Sequence, residues 1–388
     1  MKVRVIGAGF SGLAVAYSLV KKGCDVGLYE SSDRAGGLLS SQRHSWGLVE
    51  SAANGIRASR NVVQLFEDID LEYQTMKAGT RKRFIFRDKP KQVPLSPLEI
   101  TRMSAGLFRR PQPRLGQTVE SYAESIFGYG AAHYLIEPAL FGIFAERASQ
   151  LSANLIYNYF FKHRSAKSSK ARGTLAPTEG MAALVDSLVD YLEKNNCKIH
   201  YTTTIELDSL IPTVIATDAH AASELLENVD EWVSDKLKSI EYLPMTSVTI
   251  GFKETKRSLN GFGCLFPSEE DFNSLGVLFN NDIFENRGPY QTETWMIRGS
   301  EHSDDELRNL IQKDRERMIG VQEEPDEFSI QRWPKALPHY SVQLEKLLEE
   351  LVLPHNVYLV GNYMGRMGLG KILDQCHEVT DRIVQNES

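Results

Sequence analysis

The sequence has little of what metal-dependent or disulfide-bonded proteins need. Its 388 residues include only four cysteines, which form neither a CxxC pair nor a Cys/His cluster with the spacing of metal ligands. No Ser/His/Asp or Cys/His arrangement typical of nucleophilic catalysis stands out. No run of about 18 apolar residues free of charge is present, which argues against a transmembrane helix. We therefore expect a reduced, cytoplasmic chain without a metal site.

Positive charge is also in short supply over the chain as a whole. The net charge of -7 argues against non-specific nucleic-acid binding as the main activity, and we expect no nucleic-acid partner. With 42% hydrophobic and 24% charged residues, the composition is typical of a soluble globular enzyme. A single hydrophobic core stops growing at roughly 250–300 residues, so this length predicts two or three domains.

A glycine-rich turn near the N-terminus is the first informative motif. Residues 2–6 alternate as a short strand, Gly7-Ala8-Gly9-Phe10-Ser11-Gly12 follows, and residues 13–20 have the apolar periodicity of a helix. In such a unit the first glycine makes the tight turn, the second lets the backbone approach a pyrophosphate, and the third lets the helix pack on the strand. The helix N-terminus then favours the phosphates. Taken alone, the motif also fits a glycine-rich turn without a ligand.

The next strand supplies a second half of the signature. Residues 25–29 read as a strand that ends in Glu30, 21 residues after Gly9, where an acid binds a ribose and disfavours NADP. The run from Glu30 through Arg34 to Gly36-Gly37 matches the ExxxRxGG extension of flavoproteins of the glutathione-reductase-like superfamily. This resemblance selects FAD over NAD. The predicted FAD-binding residues of this region are Gly7, Gly9, Phe10, Ser11, Gly12, Glu30, Arg34, Gly36 and Gly37.

Beyond residue 37, separated blocks carry a further resemblance through their order and spacing. They are residues 137–145 with 151–152, 246–252, 259–263, 275–276 with 284–287, 333–340 and 361–371. In these blocks the chain resembles one family along nearly its whole length, the FAD-dependent protoporphyrinogen and coproporphyrinogen oxidases of haem biosynthesis.

The resemblance implies an α/β fold with three parts. The first is a glutathione-reductase-like, Rossmann-type FAD-binding domain from residues 1–80, 173–235 and 345–388. The second is a mixed α+β substrate-binding domain from residues 81–93 and 236–344. The third is a helical, membrane-type domain from residues 94–172, in which the apolar face at positions 155, 156, 159 and 160 is either core or channel lining.

The C-terminal block supports this division from the residues alone. A strand-like run at 356–360, then glycines, then a helix-like run at 369–383 read as a second strand–turn–helix. The alternative is a glycine-rich C-terminal loop. As the second flavin contact, the block adds to the predicted cofactor site Gly361, Asn362, Met367, Gly368 and Leu369.

The resemblance also implies a reaction. It is the oxidation of protoporphyrinogen IX or coproporphyrinogen III to the porphyrin by hydride transfer to flavin, with oxygen or another acceptor reoxidising the flavin. Arg83 matches a family arginine that holds a substrate propionate, and Met296 matches a pocket residue. Arg83 is otherwise one member of a solvated basic run. We predict no catalytic side chain, because the flavin does the chemistry.

Two other functions stay open at this point. One is another flavin enzyme of the superfamily, an amine oxidase or a carotenoid-desaturase-like enzyme. The other is a non-catalytic FAD-binding protein of haem synthesis. The chain departs from the porphyrinogen oxidases at Val360, Asp218 and Ala145-Glu146, and its short stretch 197–215 predicts the loss of a strand or two.

Charge is unevenly distributed. Residues 81–115 carry +8 and leave -15 for the rest of the chain, and the run Lys162, Arg164, Lys167, Lys170 and Arg172 contains no acid. Such runs form either a solvated face or a contact with anionic lipid, where each cation contributes about 1 kcal/mol. The second alternative predicts a protein peripheral to the inner face of the cytoplasmic membrane. A homodimer is left open.

Overall fold

The computed structural model describes residues 1–109, 111–162, 172–208 and 210–386. In chain order its strands are β1 Lys2–Ile6, β2 Asp25–Tyr29, β3 Ser41–Arg43, β4 Leu48–Glu50, β5 Ile56–Arg57, β6 Tyr73–Thr75, β7 Arg83–Arg87, β8 Lys89–Lys91, β9 Thr174–Pro177, β10 Lys198–His200, β11 Thr213–Ile215, β12 Tyr242–Phe252, β13 Gly263–Leu265, β14 Ser274–Phe279, β15 Gln291–Arg298, β16 Glu327–Pro338 and β17 Val357–Leu359.

The helices alternate with these strands. They are α1 Phe10–Lys21, α2 Arg60–Asp68, α3 Pro97–Arg109, α4 Val119–Phe127, α5 Tyr129–Ala131, α6 Glu137–Phe144, α7 Ala153–Tyr157, α8 Met181–Lys194, α9 Ala219–Leu226, α10 Glu231–Lys238, α11 Asn280–Ile283, α12 Asp304–Ile319, α13 Val342–Glu350 and α14 Leu369–Asn386. Short π-helical turns precede α6 and follow α7, at Ala132–Ile136 and Asn158–Lys162.

A five-stranded parallel sheet forms the centre of one half of the molecule. Its strand order is β10-β2-β1-β11-β17. Residues on alternate faces of β1 enter different cores: Val5 packs with α1, α2, α8 and α14, and Ile6 packs with α9, α10 and α13. Because both faces are covered, the strands are apolar throughout, as in doubly wound α/β proteins. The carboxyl ends of the strands meet at one edge.

A seven-stranded sheet forms the second half, in the order β16-β12-β15-β14-β13-β7-β8. Helix α12 covers one face, where Trp295 and Ile297 pack against Leu307 and Ile311. The opposite face carries Met296, which packs near Phe141 of α6. Strand β7 joins from far away in the sequence, through parallel pairing with β13. This opposite face lies toward the helical segment and the parallel sheet.

A buried ion pair joins the two halves. Arg287, in the loop before β15, donates to Glu50 at the end of β4 over 3.0 Å. The same carboxylate accepts hydrogen bonds from the Ser41 hydroxyl at 2.5 Å and from the Met181 backbone N–H at 3.1 Å, at the start of α8. Burial raises the pKa of Glu50 above its ordinary value even with Arg287 beside it. The loop is therefore fixed against the parallel-sheet half.

In the described part of the predicted helical segment 94–172, helices α3 to α7 and two π-helical turns are joined by short loops, up to Lys162. Ile156 lies in the core beside the parallel sheet, while Phe160 is exposed, so the expected apolar face is part core and part surface. Within the described ranges, no helix is long and apolar enough to cross a membrane. The membrane-type label of this segment therefore stays a prediction.

The three departures from the family pattern each have a place in the fold. Val360 is fully buried and donates its backbone N–H to Ile215. Asp218 caps the N-terminus of α9 through the backbone N–H groups of residues 220 and 221. Glu146 pairs with Arg298 at 3.0 Å, which connects the end of α6 to the seven-stranded sheet. The described part of 197–215 contains two strands, β10 and β11.

Candidate cofactor and substrate site

The turn between β1 and α1 requires glycine at two positions for reasons internal to the protein. Gly7 has φ +98, and a Cβ there would lie 3.1 Å from the backbone of Ala216. A Cβ on Gly12 would lie 1.7 Å from the carbonyl oxygen of Gly7. Helix α1 begins at Phe10, earlier than the predicted position 13, because the last residues of the turn are already helical. The turn and the helix are therefore locked onto the strand.

Gly9 differs from both. Its φ of -66 suits any residue, and no described atom lies within 4 Å of the position that a Cβ would take. Neither the backbone nor the packing of the described chain therefore requires glycine here. The first turn of α1 contains no acid and has no side-chain cap. A ligand that approaches the backbone explains both the open space at Gly9 and the uncapped start of α1. The free N–H groups of a helix N-terminus favour a phosphate as this ligand.

Glu30 lies at the carboxyl end of β2, beside this turn. One carboxylate oxygen accepts the backbone N–H of Ala8 at 2.6 Å, and the other accepts the backbone N–H of Ser32 at 2.9 Å. The carboxylate is thus held next to the turn, where a ribose would follow a pyrophosphate.

The loop after Glu30 returns to Gly9. Gly36 donates its backbone N–H to Ala8 at 2.8 Å, and a Cβ on Gly37 would lie 3.3 Å from the Cα of Gly9. The exposed Arg34 side chain donates to the carbonyl oxygens of Ala35 and Gly37 at 3.2 and 3.0 Å. Arg34 therefore orders this loop by its own hydrogen bonds, in addition to the charge that it brings.

The C-terminal block forms the predicted second strand–turn–helix. Strand β17 is shorter than the predicted 356–360, because Asn356 has φ +60 and forms a turn. Helix α14 packs along α1, and its Cys376 thiol donates to the carbonyl oxygen of Ser11 at 3.4 Å. The Tyr340 hydroxyl donates to the carbonyl oxygen of Asn362 at 2.5 Å. Two distant parts of the chain thus meet at one edge of the parallel sheet.

The remaining residues of the block line the start of α14. Gly361 donates its backbone N–H to the side chain of Gln375 at 3.1 Å, and Met367 is buried. Gly368, with φ +84, is exposed just before Leu369 begins the helix. The hydroxyl of Tyr159 lies 3.7 Å from the position of a Cβ on Gly368. Sequence reasoning gave Tyr159 no role at this site.

The two predicted substrate residues lie on the seven-stranded sheet. Followed from β7 through β13 and β14 to β15, the strand register places Arg83 level with Thr294, and Ile85 level with Met296. Side chains alternate along strands, so Arg83 and Met296 share the face opposite α12. Three strand spacings, about 14 Å, separate them across the sheet, and two residues separate them along it. Arg83 lies over the ring of Phe262 at 4.3 Å, and Met296 packs with the apolar cluster of Phe141.

Comparison with known proteins gives the family. The model of the flavin containing amine oxidoreductases matches residues 10–376. The chain belongs to this family.

Two curated relatives of this flavin oxidoreductase extend over almost its whole length. Protoporphyrinogen oxidase 2, chloroplastic/mitochondrial, of Arabidopsis thaliana is 25% identical, and the match covers 99% of this chain and 94% of the relative. Coproporphyrinogen III oxidase of Bacillus subtilis is 23% identical, with 96% of each chain covered. The solved structure of cyclohexylamine oxidase from Brevibacterium oxydans has a TM-score of 0.73 at 13% identity and 99% coverage of both chains, which shows a shared fold.

The cofactor of this flavin oxidoreductase is FAD, and the residues present fit it. The open side of Gly9, the uncapped start of α1 and the acid after β2 are what a dinucleotide needs. When bound, FAD supplies the hydride acceptor. The chain holds and orients the cofactor. Among the described residues, no group of three or more His, Cys, Asp or Glu side chains could hold a metal ion.

Proposed function

We propose that this flavin oxidoreductase oxidises a porphyrinogen, protoporphyrinogen IX or coproporphyrinogen III, to the porphyrin. The carrying observation is the shared face of Arg83 and Met296, which lie about 14 Å apart across the seven-stranded sheet. A flat apolar macrocycle with carboxylates at its rim is the kind of ligand that spans such a distance. The curated relatives at 25% and 23% identity support this substrate class.

The proposed reaction needs no nucleophile or metal from the chain. Each of three two-electron steps removes a hydride from a carbon bridge together with one proton, and the macrocycle loses six hydrogens in all, four from its carbon bridges and two from its nitrogens. Oxygen as the acceptor would take up these electrons and protons as three molecules of hydrogen peroxide. The work left to the protein is to orient the macrocycle and to exclude side reactions.

We assign the cofactor residues by their positions. Gly7 and Gly12 shape the turn, and Gly9 admits the pyrophosphate to the first turn of α1, where Phe10 and Ser11 lie. Glu30 binds the ribose, and Arg34 with Gly36 and Gly37 closes the loop over the phosphates. On the other side, the start of α14 faces the isoalloxazine ring through Gly361, Asn362, Met367, Gly368 and Leu369.

The decisive experiment is anaerobic mixing of the purified, FAD-loaded protein with a porphyrinogen. We expect the flavin absorbance to bleach and a porphyrin to appear in proportion. A primary amine, the substrate expected of an amine oxidase, is mixed with the same protein in a parallel experiment. Bleaching by the amine with none by the porphyrinogen would show another enzyme of the family, and no bleaching by either would show a flavin protein without this turnover.

We also propose that the helical segment attaches the protein to an anionic membrane. The observation is a set of exposed apolar side chains on α3, with Leu98 80% and Phe108 92% exposed. The sequence places these residues among the cations of 81–115. The basic residues at 164, 167 and 170 and Arg110 lie outside the described residues. Two other cations are paired, Arg87 with Glu99 at 2.9 Å and Lys91 with Asp88 at 3.2 Å, so the surface charge is smaller than the sequence indicates.

A further inference from the structure

A second arginine lies close to the predicted substrate arginine. Arg57 ends the short strand β5, and its carbonyl oxygen lies 3.6 Å from the position of a Cβ on Gly370, in the first turn of α14. The Arg57 side chain is exposed, and within the described ranges it has no hydrogen bond or ion pair with a carboxylate. Arg57 therefore lies beside the start of α14, where the predicted C-terminal cofactor residues also lie.

Packing connects Arg57 to Arg83. Strand β5 pairs with β9, where Arg57 is level with Thr174. Ala176 of β9 lies in one apolar cluster with Phe262, and the Arg83 guanidinium lies over the Phe262 ring. Arg83 thus contacts this small cluster, and Arg57 lies on the strand that pairs with the one carrying Ala176.

The charges of this region interact with one another. Burial, and then the charge of Arg57, lower the pKa of Arg83. Lys371 lies 6.0 Å from the centre of the Tyr159 ring, and burial together with the charges of Arg366 and Arg57 lowers its pKa although Asp374 opposes this. Burial raises the pKa of Tyr159, and Arg57 works against this rise. Arg57 and Lys371 therefore both lie near Tyr159.

Like charges gathered in this way repel each other, and the repulsion is relieved when an anion binds between them. Arginine is suited to carboxylates because its planar fork donates two parallel hydrogen bonds. Gly368, next to the Tyr159 hydroxyl, and Lys371 both lie at the start of α14, and Lys371 is more than one helical turn before the contact of Cys376 with α1.

We propose that Arg57 is a second carboxylate-binding residue of the substrate site, so that Arg57 and Arg83 together recognise two carboxylates on one substrate. This rests on the proposed porphyrinogen oxidation. Lys371 adds positive charge beside Arg57, and Tyr159 lies near Lys371 and near the exposed Gly368. The substrate class is accordingly a macrocycle with at least two carboxylates, and esterified analogues bind poorly.

The test is equilibrium binding of the product coproporphyrin III and of its tetramethyl ester, in one detergent-containing buffer, to FAD-loaded protein. The variants are Arg57→Gln, Arg57→Lys and the control Arg60→Gln. Arg60 is a matched control because it lies three residues further on and lines the outer groove with Tyr17 and Lys21. Because a charge-assisted hydrogen bond contributes about 1.5–3 kcal/mol, Arg57→Gln should weaken acid binding roughly tenfold to a hundredfold.

Other readouts separate the proposal from its rivals. We expect ester binding to change less than twofold in Arg57→Gln, Arg57→Lys to recover part of the acid affinity, and FAD content to stay at the wild-type level. Loss of FAD from Arg57→Gln would assign Arg57 to the cofactor and overturn the proposal. Unchanged acid affinity would overturn it as well. Wild-type protein that neither binds a porphyrin nor is bleached by a porphyrinogen would overturn the proposed function along with it.

Discussion

At the scale of single residues, the three glycines of the first turn separate protein packing from ligand binding. We predict that Gly9→Val folds but binds no FAD, because the new side chain occupies space that only the cofactor needs. Thermal unfolding and the flavin-to-protein absorbance ratio measure both effects. Wild-type FAD content in folded Gly9→Val would contradict the assignment of this turn.

Gly12→Ala is the matched contrast. Its Cβ would collide with the Gly7 carbonyl oxygen, so we expect a loss of at least about 3 kcal/mol of stability or insoluble protein. Loss of FAD there would follow from damage to the fold. A Gly12→Ala variant as stable as wild type would show that the turn can move. It would then contradict the assignment of the open side of Gly9 to the cofactor.

Arg83 is the second residue-scale prediction. If it holds a carboxylate of the substrate, Arg83→Ala should lower kcat/KM roughly tenfold to a hundredfold, the effect of a charge-assisted hydrogen bond of about 1.5–3 kcal/mol. FAD content should stay the same, because Arg83 lies on the sheet away from the first turn of α1. Steady-state kinetics that agree with wild type within about twofold would leave Arg83 as a surface cation over Phe262.

At the scale of elements, α3 carries the membrane proposal. We predict that Leu98→Ser/Leu107→Ser/Phe108→Ser lowers binding to anionic vesicles more than tenfold, since each inserted side chain contributes about 1–2 kcal/mol. Wild-type binding should also fall with added salt, because exposed charges are screened over about 10 Å at 0.1 M. Co-sedimentation measures both.

The control for α3 is Trp232→Ser on α10, another exposed apolar residue, at 47% exposure. It should leave vesicle binding unchanged. Equal binding of wild type and the triple variant would remove α3 from the membrane contact, and equal binding to neutral and anionic lipid would remove the charge contribution.

Elements whose signals are local were predicted well. β1 and β2 have the predicted bounds, since alternation and the adjacent glycines define them within a few residues. The C-terminal strand–turn–helix was also found from its local pattern. The small sheet of β5, β9 and β6 was not predicted, because two- to four-residue strands leave no periodicity and their partners are distant. The position of Arg57 beside Arg83 depends on that sheet, so the sequence offered no signal for it.

At the scale of the whole molecule, the pair of Glu50 and Arg287 joins the two sheets. We predict that Arg287→Met lowers stability by about 3–5 kcal/mol at neutral pH, because it leaves a buried carboxylate without its cation. Adding Glu50→Gln should recover part of the loss, since the amide oxygen can still accept from Ser41 and Met181. Thermal unfolding with flavin and tryptophan fluorescence follows both halves.

The pH dependence of this variant has a definite sign. Burial already raises the folded-state pKa of Glu50 above 4.5, and loss of Arg287 raises it further. A carboxyl group whose pKa is raised on folding stabilises the folded state at pH values below its unfolded-state pKa. This stabilisation is lost as the pH rises through its folded-state pKa. The defect of Arg287→Met should therefore be smaller at pH 5 than at pH 8. The control Arg43→Met breaks an exposed pair with Glu179 and should cost less than about 1 kcal/mol at both pH values.

The parallel sheet draws its strands from nearly the whole chain, and this has a consequence for biosynthesis. β1 and β2 leave the ribosome first, while β17, the neighbour that covers β11, comes from residues 357–359. At about 5–20 residues per second, the edge of β11 waits for its partner while the ribosome finishes the chain. Exposed strand edges favour aggregation. We expect FAD to be captured only after β17 has left the ribosome, because the parallel sheet is incomplete before then.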